Sequence, residues 1–371
     1  MSLHPIAGHA AIMERLEAAA QSGRLPQSML LHGPAGVGKQ RLALWLSRLL
    51  LCERRNGCGE CRSCGMADRL QHPDLHWYFP VERPKKRASS PAKLREALEA
   101  ARLAEVVRRR EEPLQPDDAD GPRGIYLEAV QKMRERAATR PALGQRAVFV
   151  VGDAEAMVPQ AASPAAANAF LKLLEEPPRD TFFILTSPRP GALLPTVRSR
   201  VLAIRVPPLG ENEVQSFLRD EAGWPAEEAS RLARISHGSI GRALRLRASD
   251  GAGAHERADA LLAAALASRR ERLEFLVTLP AARARSEFAG ILEAVEERLR
   301  DITCLALEHP ETAFDAEGAR RLIGDRRVPV DALARVSDHI EEARTAAQGN
   351  VNPQAIASVL LMELAGAFDG G

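Results

Sequence analysis

Aromatic residues are scarce in this 371-residue chain, at 4% of the total. A core short of rings must be filled by aliphatic side chains. With Ala, Leu and Arg abundant, those are expected on helices more than on aromatic-rich strands. An excess of charge of one sign is also missing: Lys plus Arg number 51 against 49 Asp plus Glu, a formal net charge of +2. No chain-wide field therefore draws the protein to nucleic acid or to a membrane, and any such contact must be local. Long apolar runs are absent as well. The longest, Ala260 to Ala267, falls far short of the roughly 18 residues that a membrane span needs. The N-terminus, Met1-Ser-Leu-His-Pro5, lacks the basic start and apolar block of a signal peptide. A cytoplasmic protein with no membrane contact is the expectation. In such a chain cysteines stay reduced, and four of the five present fall within thirteen residues, which suggests a metal site before disulfides.

What is there reads first as an alternation of helices and strands. Ile12, Leu16 and Ala19 lie at helical spacing before Gly23, and Met29-Leu-Leu31 is a short buried-strand candidate. A helix through Leu51 follows, with Leu42, Trp45, Leu46 and Leu49 on one face. Residues 81–124 differ in character, with 11 Lys/Arg, 9 Asp/Glu and 5 Pro in 44 positions. This reads as a solvated, partly disordered insertion, its middle (Lys93 to Glu112) a charged helix at most. A basic nucleic-acid patch at Lys85, Lys86, Arg87 and Arg108 to Arg110 is the alternative. Further on come a helix at 125–139, a strand at 147–151, and a helix opened by Ser163-Pro164 and stopped by Pro177-Pro178. A strand at 181–186 completes the pattern of a parallel sheet covered on both faces. Short helices at 211–221, 226–236 and 240–247, a linker at 249–254 and continuous helix signals over 255–367 make up the rest.

Three groups of residues carry chemistry. Cys52-x5-Cys58-x2-Cys61-x2-Cys64 can surround one Zn2+ with four thiolates, which closes the coordination sphere and makes the site structural; a redox pair or incidental thiols are the alternatives. Gly33-Pro-Ala-Gly36-Val-Gly38-Lys39 fits a phosphate-binding loop between strand and helix. Gln40, however, stands where a Ser or Thr would ligate Mg2+, and Asp153 at the next strand end is followed by Ala154 where a hydrolytic Glu would sit. Nucleotide binding there is open against an inherited turn, as is Asp153 between ligand and turn residue. The third group, Thr196-Val-Arg198-Ser199-Arg200, offers an arginine to a neighbouring molecule; the alternative is an ordinary solvated or salt-bridged residue near a helix end.

At these residues the sequence resembles the bacterial clamp-loader ATPase family of the AAA+ class. The phosphate loop, the four cysteines, His72-Pro-Asp74, Asn168-Ala-Phe-Leu-Lys-Leu-Leu-Glu-Glu-Pro-Pro178 and Ser199-Arg200 occur in the family's order. The resemblance spans nearly all of the chain apart from 81–124. It implies an α/β P-loop domain of AAA+ type over 1–207, with a parallel sheet, a zinc module inserted at 52–64 and the charged insertion at 81–124. A small helical lid over 208–250 and an all-α collar domain over 251–371 would follow.

Motor members of the family carry Gly-Lys-Thr/Ser, an Asp-Glu strand end and an arginine in a Gly-Ser-x-Arg lid motif. Here those places hold Gly38-Lys39-Gln40, Asp153-Ala154 and Gly238-Ser239-Ile240-Gly241, with Arg242 about 100° further round its helix. These departures point to the delta-prime branch of the DNA polymerase III clamp loader, a stator with little or no ATPase of its own. The resemblance implies that Arg200 is offered in trans to ATP on a neighbouring motor subunit (gamma/tau). A delta subunit is a further partner, and the sliding clamp and primer-template DNA are met through the complex at the replisome. It implies structural Zn2+ on Cys52, Cys58, Cys61 and Cys64. ATP with Mg2+ at Gly33, Gly36, Gly38, Lys39, Gln40 and Asp153 stays open because Lys39 is retained. An active motor-type ATPase using Gln40 and Glu155 is the alternative inside the family. A zinc-containing nucleic-acid-binding module is the alternative outside it.

Overall fold

The computed structural model describes residues 6–84, 90–116, 123–157, 164–248, 252–278, 285–313, 315–326, 328–348 and 351–369. They divide into two compact units, one running up to Leu244 and one from Arg245 onward. The first unit opens with α1 (Ala10–Gln21), β1 (Ser28–His32), α2 (Lys39–Leu51) and α3 (Arg62–Asp68). Next come β2 (Leu75–Tyr78), β3 (Val81–Glu82), α4 (Pro91–Glu111), β4 (Arg123–Gly124) and α5 (Leu127–Ala137). They are followed by β5 (Ala147–Val151), a 3-10 turn at Ala154–Met157, α6 (Ala165–Glu175), β6 (Thr181–Ser187), α7 (Pro195–Arg198) and β7 (Leu202–Arg205). Three helices come next: α8 (Glu211–Ser216), which runs on into a π turn, α9 (Ala226–Ile235) and α10 (Ile240–Ala248).

Strands β2-β5-β6-β1-β7 form one all-parallel sheet, in that order. Successive side chains of a strand point to opposite faces, and both faces here are apolar because helices cover both. Met29, Leu31, Val148, Val150, Phe182 and Ile184 pack on one side with Leu42, Leu46 and Leu49 of α2. Leu30, Phe149, Val151, Phe183 and Leu185 pack on the other with Val130 and Met133 of α5 and Phe170 of α6. Strands β2 and β7, at the two edges, were not expected from the sequence. Each has four residues, and β7 leaves Leu202 about half exposed, so neither carries a clear apolar run.

The insertion departs from the solvated reading. Ser90 caps α4, its hydroxyl accepting the Lys93 N–H at 3.3 Å, with Pro91 in the first turn. Leu94, Leu98 and Val106 join the core beside Trp77, Phe79 and Val81. The remaining cover is supplied by arginines, whose methylene stems and flat guanidinium groups lie well on rings. Arg102, 6% exposed, lies 4.7 Å from the Tyr78 ring centroid, donates to the Trp77 carbonyl at 2.8 Å and is gripped twice by Glu99. An apolar stripe thinned by arginine is hard to read as a buried face. Lys85 to Arg87 and Ser163 lie outside the described residues.

The second unit is helical among the described residues: α11 (Ala252–Leu266), α12 (Arg269–Thr278), α13 (Arg285–Ala306), α14 (Ala316–Ile323), α15 (Val330–Gln348) and α16 (Pro353–Asp369). Its core is largely aliphatic, built on Leu262, Val295, Ile302, Val336, Leu361 and Leu364, with Phe288 buried among them. Of the expected linker, 249–251 lie outside the described residues and Ala252 to Ala254 already belong to α11. No helix of the described residues is long and apolar enough to cross a membrane.

Phe183 is fully buried, stacked on Phe149 at 5.2 Å and edge-on to Phe170 at 5.7 Å. Phe183→Ala is therefore expected to cost about 3–5 kcal/mol, read as a lowered denaturant midpoint with an unchanged slope.

Candidate functional site

The loop between β1 and α2 is folded as a phosphate loop, with Gly36 and Gly38 at positive φ. Its lysine points inward. Lys39 is 5% exposed, and its ammonium donates to the carbonyls of Gly33 at 2.8 Å and Pro34 at 2.6 Å. Burial lowers its pKa, opposed by the carboxylates of Asp153 and Glu155. The segment 236–242 leans on the same loop: Ser239 Oγ donates to Ala35 O at 2.9 Å and Gly241 N to Gly36 O at 3.0 Å. Backbones touch here, because a Cβ on Gly241 would lie 2.8 Å from the Gly36 Cα. His9 adds a third contact, its Nε2 2.8 Å from Val37 O. Gly33, Gly36, Gly38 and Lys39 are thus brought together in one closed loop, and the expected lid arginine motif takes part through the Ser239 hydroxyl and the Gly241 backbone.

Gln40 and Asp153 also meet. The Gln40 amide Nε2 donates to Asp153 Oδ2 at 3.0 Å, and its Oε1 is 3.4 Å from Arg109 Nη1. The strand end is shaped for this, since a Cβ on Gly152 would lie 2.8 Å from the Gln40 carboxamide atoms. Mg2+ does not fit this donor set: the carboxylate that would bind it accepts an amide proton, and a guanidinium stands on the far side of that amide. Glu155 sits in the following 3-10 turn, 5% exposed, with Arg189 at 3.9 Å. Burial, and then the negative charge of Asp153, raise its pKa to about 7, against the opposing Ser187 hydroxyl and Arg189.

Arg200 belongs to a separate cluster, at the C-terminal end of α7. Its guanidinium makes a 2.7 Å ion pair with Glu175 and donates to Thr196 O at 3.0 Å, while about a third of the side chain stays exposed. Glu175 ends α6, so the run from Asn168 to Pro178 places the partner of Arg200. Sequence reasoning missed that pairing, and missed Arg109 too, because each joins residues far apart in the chain. His72-Pro-Asp74 has a structural part. The Asp74 carboxylate accepts the N–H groups of Ala142, Leu143 and Gly144 at 2.5, 2.9 and 3.0 Å, tying the approach to β5 onto the start of β2. Burial would raise its pKa, but those three donors outweigh it and hold it low.

The four cysteines converge at the opposite end of α2. Cys52 caps that helix and Cys61 opens α3, and all four sulfurs lie within 4.8 Å of one another. Cys52 Sγ is 3.7 Å from Cys58 Sγ and 3.9 Å from Cys61 Sγ. Four sulfurs about 2.3 Å from a central zinc are about 3.8 Å apart, so this donor set fits a metal. The N–H groups of Cys61 and Cys64 donate to Cys58 Sγ and Cys61 Sγ, both at 3.4 Å. Burial acts to raise the pKa of Cys52, yet hydrogen bonds from the Cys58, Asn56 and Arg54 backbone bring it down to about 6. Of the basic patch considered for 81–124, Arg108 and Arg109 both turn to Glu105 at 2.7 Å.

Fold and site together define an α/β protein built on a parallel sheet, with a closed, lysine-bearing phosphate loop at one end of α2 and a four-cysteine cluster at the other. A family model described as "DNA polymerase III, delta subunit" matches residues 8–210, and the chain belongs to that family. Among its relatives is the DNA polymerase III subunit delta' of Escherichia coli K12, 30% identical over 236 residues, 63% of this chain and 58% of that protein. The corresponding subunit of Pseudomonas aeruginosa is 33% identical over 221 residues, 58% of this chain and 54% of that protein. The gamma/tau subunit of Mycobacterium tuberculosis H37Rv is 28% identical over 202 residues, 54% of this chain and 27% of that protein. The chain spans a little over half the length of the two delta' relatives.

Proposed function

We propose that this chain is the delta-prime stator of a bacterial DNA polymerase III clamp loader, an AAA+ type subunit that hydrolyses little or no ATP and offers Arg200 to ATP on a neighbouring motor subunit. The observation that carries the reading is the contrast between its two clusters. Lys39 is spent on carbonyls of its own loop, whereas Arg200 is held by Glu175 with its guanidinium partly open to solvent. A guanidinium fixed in direction but not enclosed suits charge developing on a phosphate from another chain. Gamma/tau and delta subunits are the proposed partners, the sliding clamp and primer-template DNA are met through the complex, and the cytoplasmic replisome is the proposed location. The domain scheme of α/β P-loop domain, helical lid and collar belongs to this reading, as does structural zinc on the four cysteines. The zinc would order residues 52–64, a segment that contributes few side chains to the core around it.

Arg200→Ala in the assembled loader is expected to slow hydrolysis roughly a thousandfold at the one ATP site it serves. This would be read as a fall in clamp- and DNA-stimulated ATPase with assembly intact by size-exclusion chromatography. Unchanged stimulated turnover would sink the role in trans. Metal analysis of anaerobically purified protein is expected to find one zinc per chain, lost in Cys61→Ser together with part of the thermal stability; protein free of stoichiometric zinc refutes the metal assignment.

One observation favours the motor-type alternative: Glu155 is buried beside the charges of Lys39 and Asp153, and burial first, then Asp153, raises its pKa to about 7, a range suited to a general base. Steady-state ATP hydrolysis by the chain alone decides between the two. The stator reading expects a rate no higher than that of Lys39→Ala; turnover abolished by that change would establish a motor.

A further inference from the structure

We infer that the inserted helix α4 fills the metal position of the phosphate loop with protein, its Arg109 guanidinium and the Gln40 carboxamide standing where a divalent cation would be held, so that nucleotide affinity at this loop is independent of Mg2+. The inference goes beyond the stator reading and does not rest on it. It concerns the loop of this chain and not its service to a neighbour.

Three independent features support it. Gln40 follows the loop lysine directly, at the position that presents a hydroxyl to Mg2+ in loops that bind it. Both ends of its amide are engaged, one by Asp153 at 3.0 Å and the other by Arg109 at 3.4 Å, and Gly152 leaves the room in which it lies. Arg109, secondly, is built into place. Its guanidinium carbon is 4.0 Å from the Phe79 ring centroid and 5.1 Å from that of Trp77, and its Nε pairs with Glu105 at 2.7 Å. Burial works against ionised Glu105, but Arg108 and Arg109 bring its pKa down to about 2, so the anchor stays charged. Thirdly, the next residue of α2 reaches the same segment: Arg41 Nη2 donates to Pro113 O at 3.2 Å, just past the end of α4. Two consecutive residues of the first turn of α2 therefore grip the C-terminal end of α4.

The electrostatic consequence follows directly. A guanidinium one amide away from Asp153 supplies part of the positive charge that a metal would bring, and it repels a dication from the same spot. A polyphosphate entering this loop would meet Lys39, loop N–H groups and a fixed organic cation, with Asp153 Oδ2 and Gln40 Oε1 already accepting hydrogen bonds from side chains.

The test is a fluorescence titration of the full-length chain with the N-methylanthraniloyl derivative of ADP, in Mg2+ and in EDTA. The wild type is expected to give the same result in both, whether that is equal binding or none. Gln40→Thr combined with Arg109→Ala, which restores a hydroxyl and removes the cation, is expected to bind about tenfold or more tightly in Mg2+ than in EDTA. Wild-type binding that strengthens about tenfold on adding Mg2+ overturns the inference. So does a double variant that is folded by circular dichroism yet remains indifferent to Mg2+. Should that variant fail to fold, Gln40→Thr with Arg109→Gln, which keeps more of the packing on Phe79, is read by the same criteria. Because the readout is binding to the isolated chain, its failure leaves the role of Arg200 in trans untouched.

Discussion

A parallel sheet must be covered on both faces, and in this chain that requirement places nearly everything else in the first unit. Strand β1 lies inside the sheet and needs a helix across it, and α2 supplies one with Leu42, Leu46 and Leu49. Because the helix begins at Lys39, the glycine-rich loop is pinned at one end of it. Because it ends at Leu51, Cys52 is pinned at the other. Thirteen residues of helix separate the two sites by about 20 Å. The phosphate loop and the cysteine cluster are thus two ends of one buried rod, and neither can move without disturbing the sheet beneath.

The same requirement explains the insertion. Edge strand β2 presents Trp77, with Phe79 just beyond it, and both rings need cover at the margin of the sheet. Helix α4 provides it with few apolar residues, because arginine can cover a ring while its charge is met by a glutamate on the preceding turn. Once that helix is seated, its C-terminal end comes up against the first turn of α2. A device that covers the sheet edge therefore also acts on the phosphate loop, and a loop able to host a metal becomes one that hosts a side-chain bridge.

Charge in this unit is handled by enclosure at one site and by partial exposure at the other. Lys39, Asp153 and Glu155 are held within a small volume, where burial pulls down the pKa of the lysine and pushes up that of Glu155. Such groups are committed to one another. Arg200 and Glu175 are paired at the surface, where solvent weakens the pairing and an incoming phosphate can compete for the guanidinium.

Short-range chemistry was legible in the sequence. The central strands declared themselves through apolar runs such as Val148 to Val151 and Phe182 to Leu185, and α2 and α6 through apolar residues at helical spacing. The cysteine spacing announced a cluster whose members lie too close in sequence to scatter. The phosphate loop and its missing hydroxyl were equally plain, since the ligand that Mg2+ requires is a single residue at a fixed offset. What sequence could not supply were the pairings that depend on two segments arriving at one place. Arg109 and Gln40 are 69 residues apart and Asp153 is 113 residues beyond Gln40, while Arg200 finds Glu175 only because α6 and α7 meet beside the sheet. Residue type and spacing determined which groups could bind phosphate or metal. The tertiary structure decided which of them were already taken, because a hydrogen bond or ion pair acts across a few ångströms of space regardless of the length of chain between its partners.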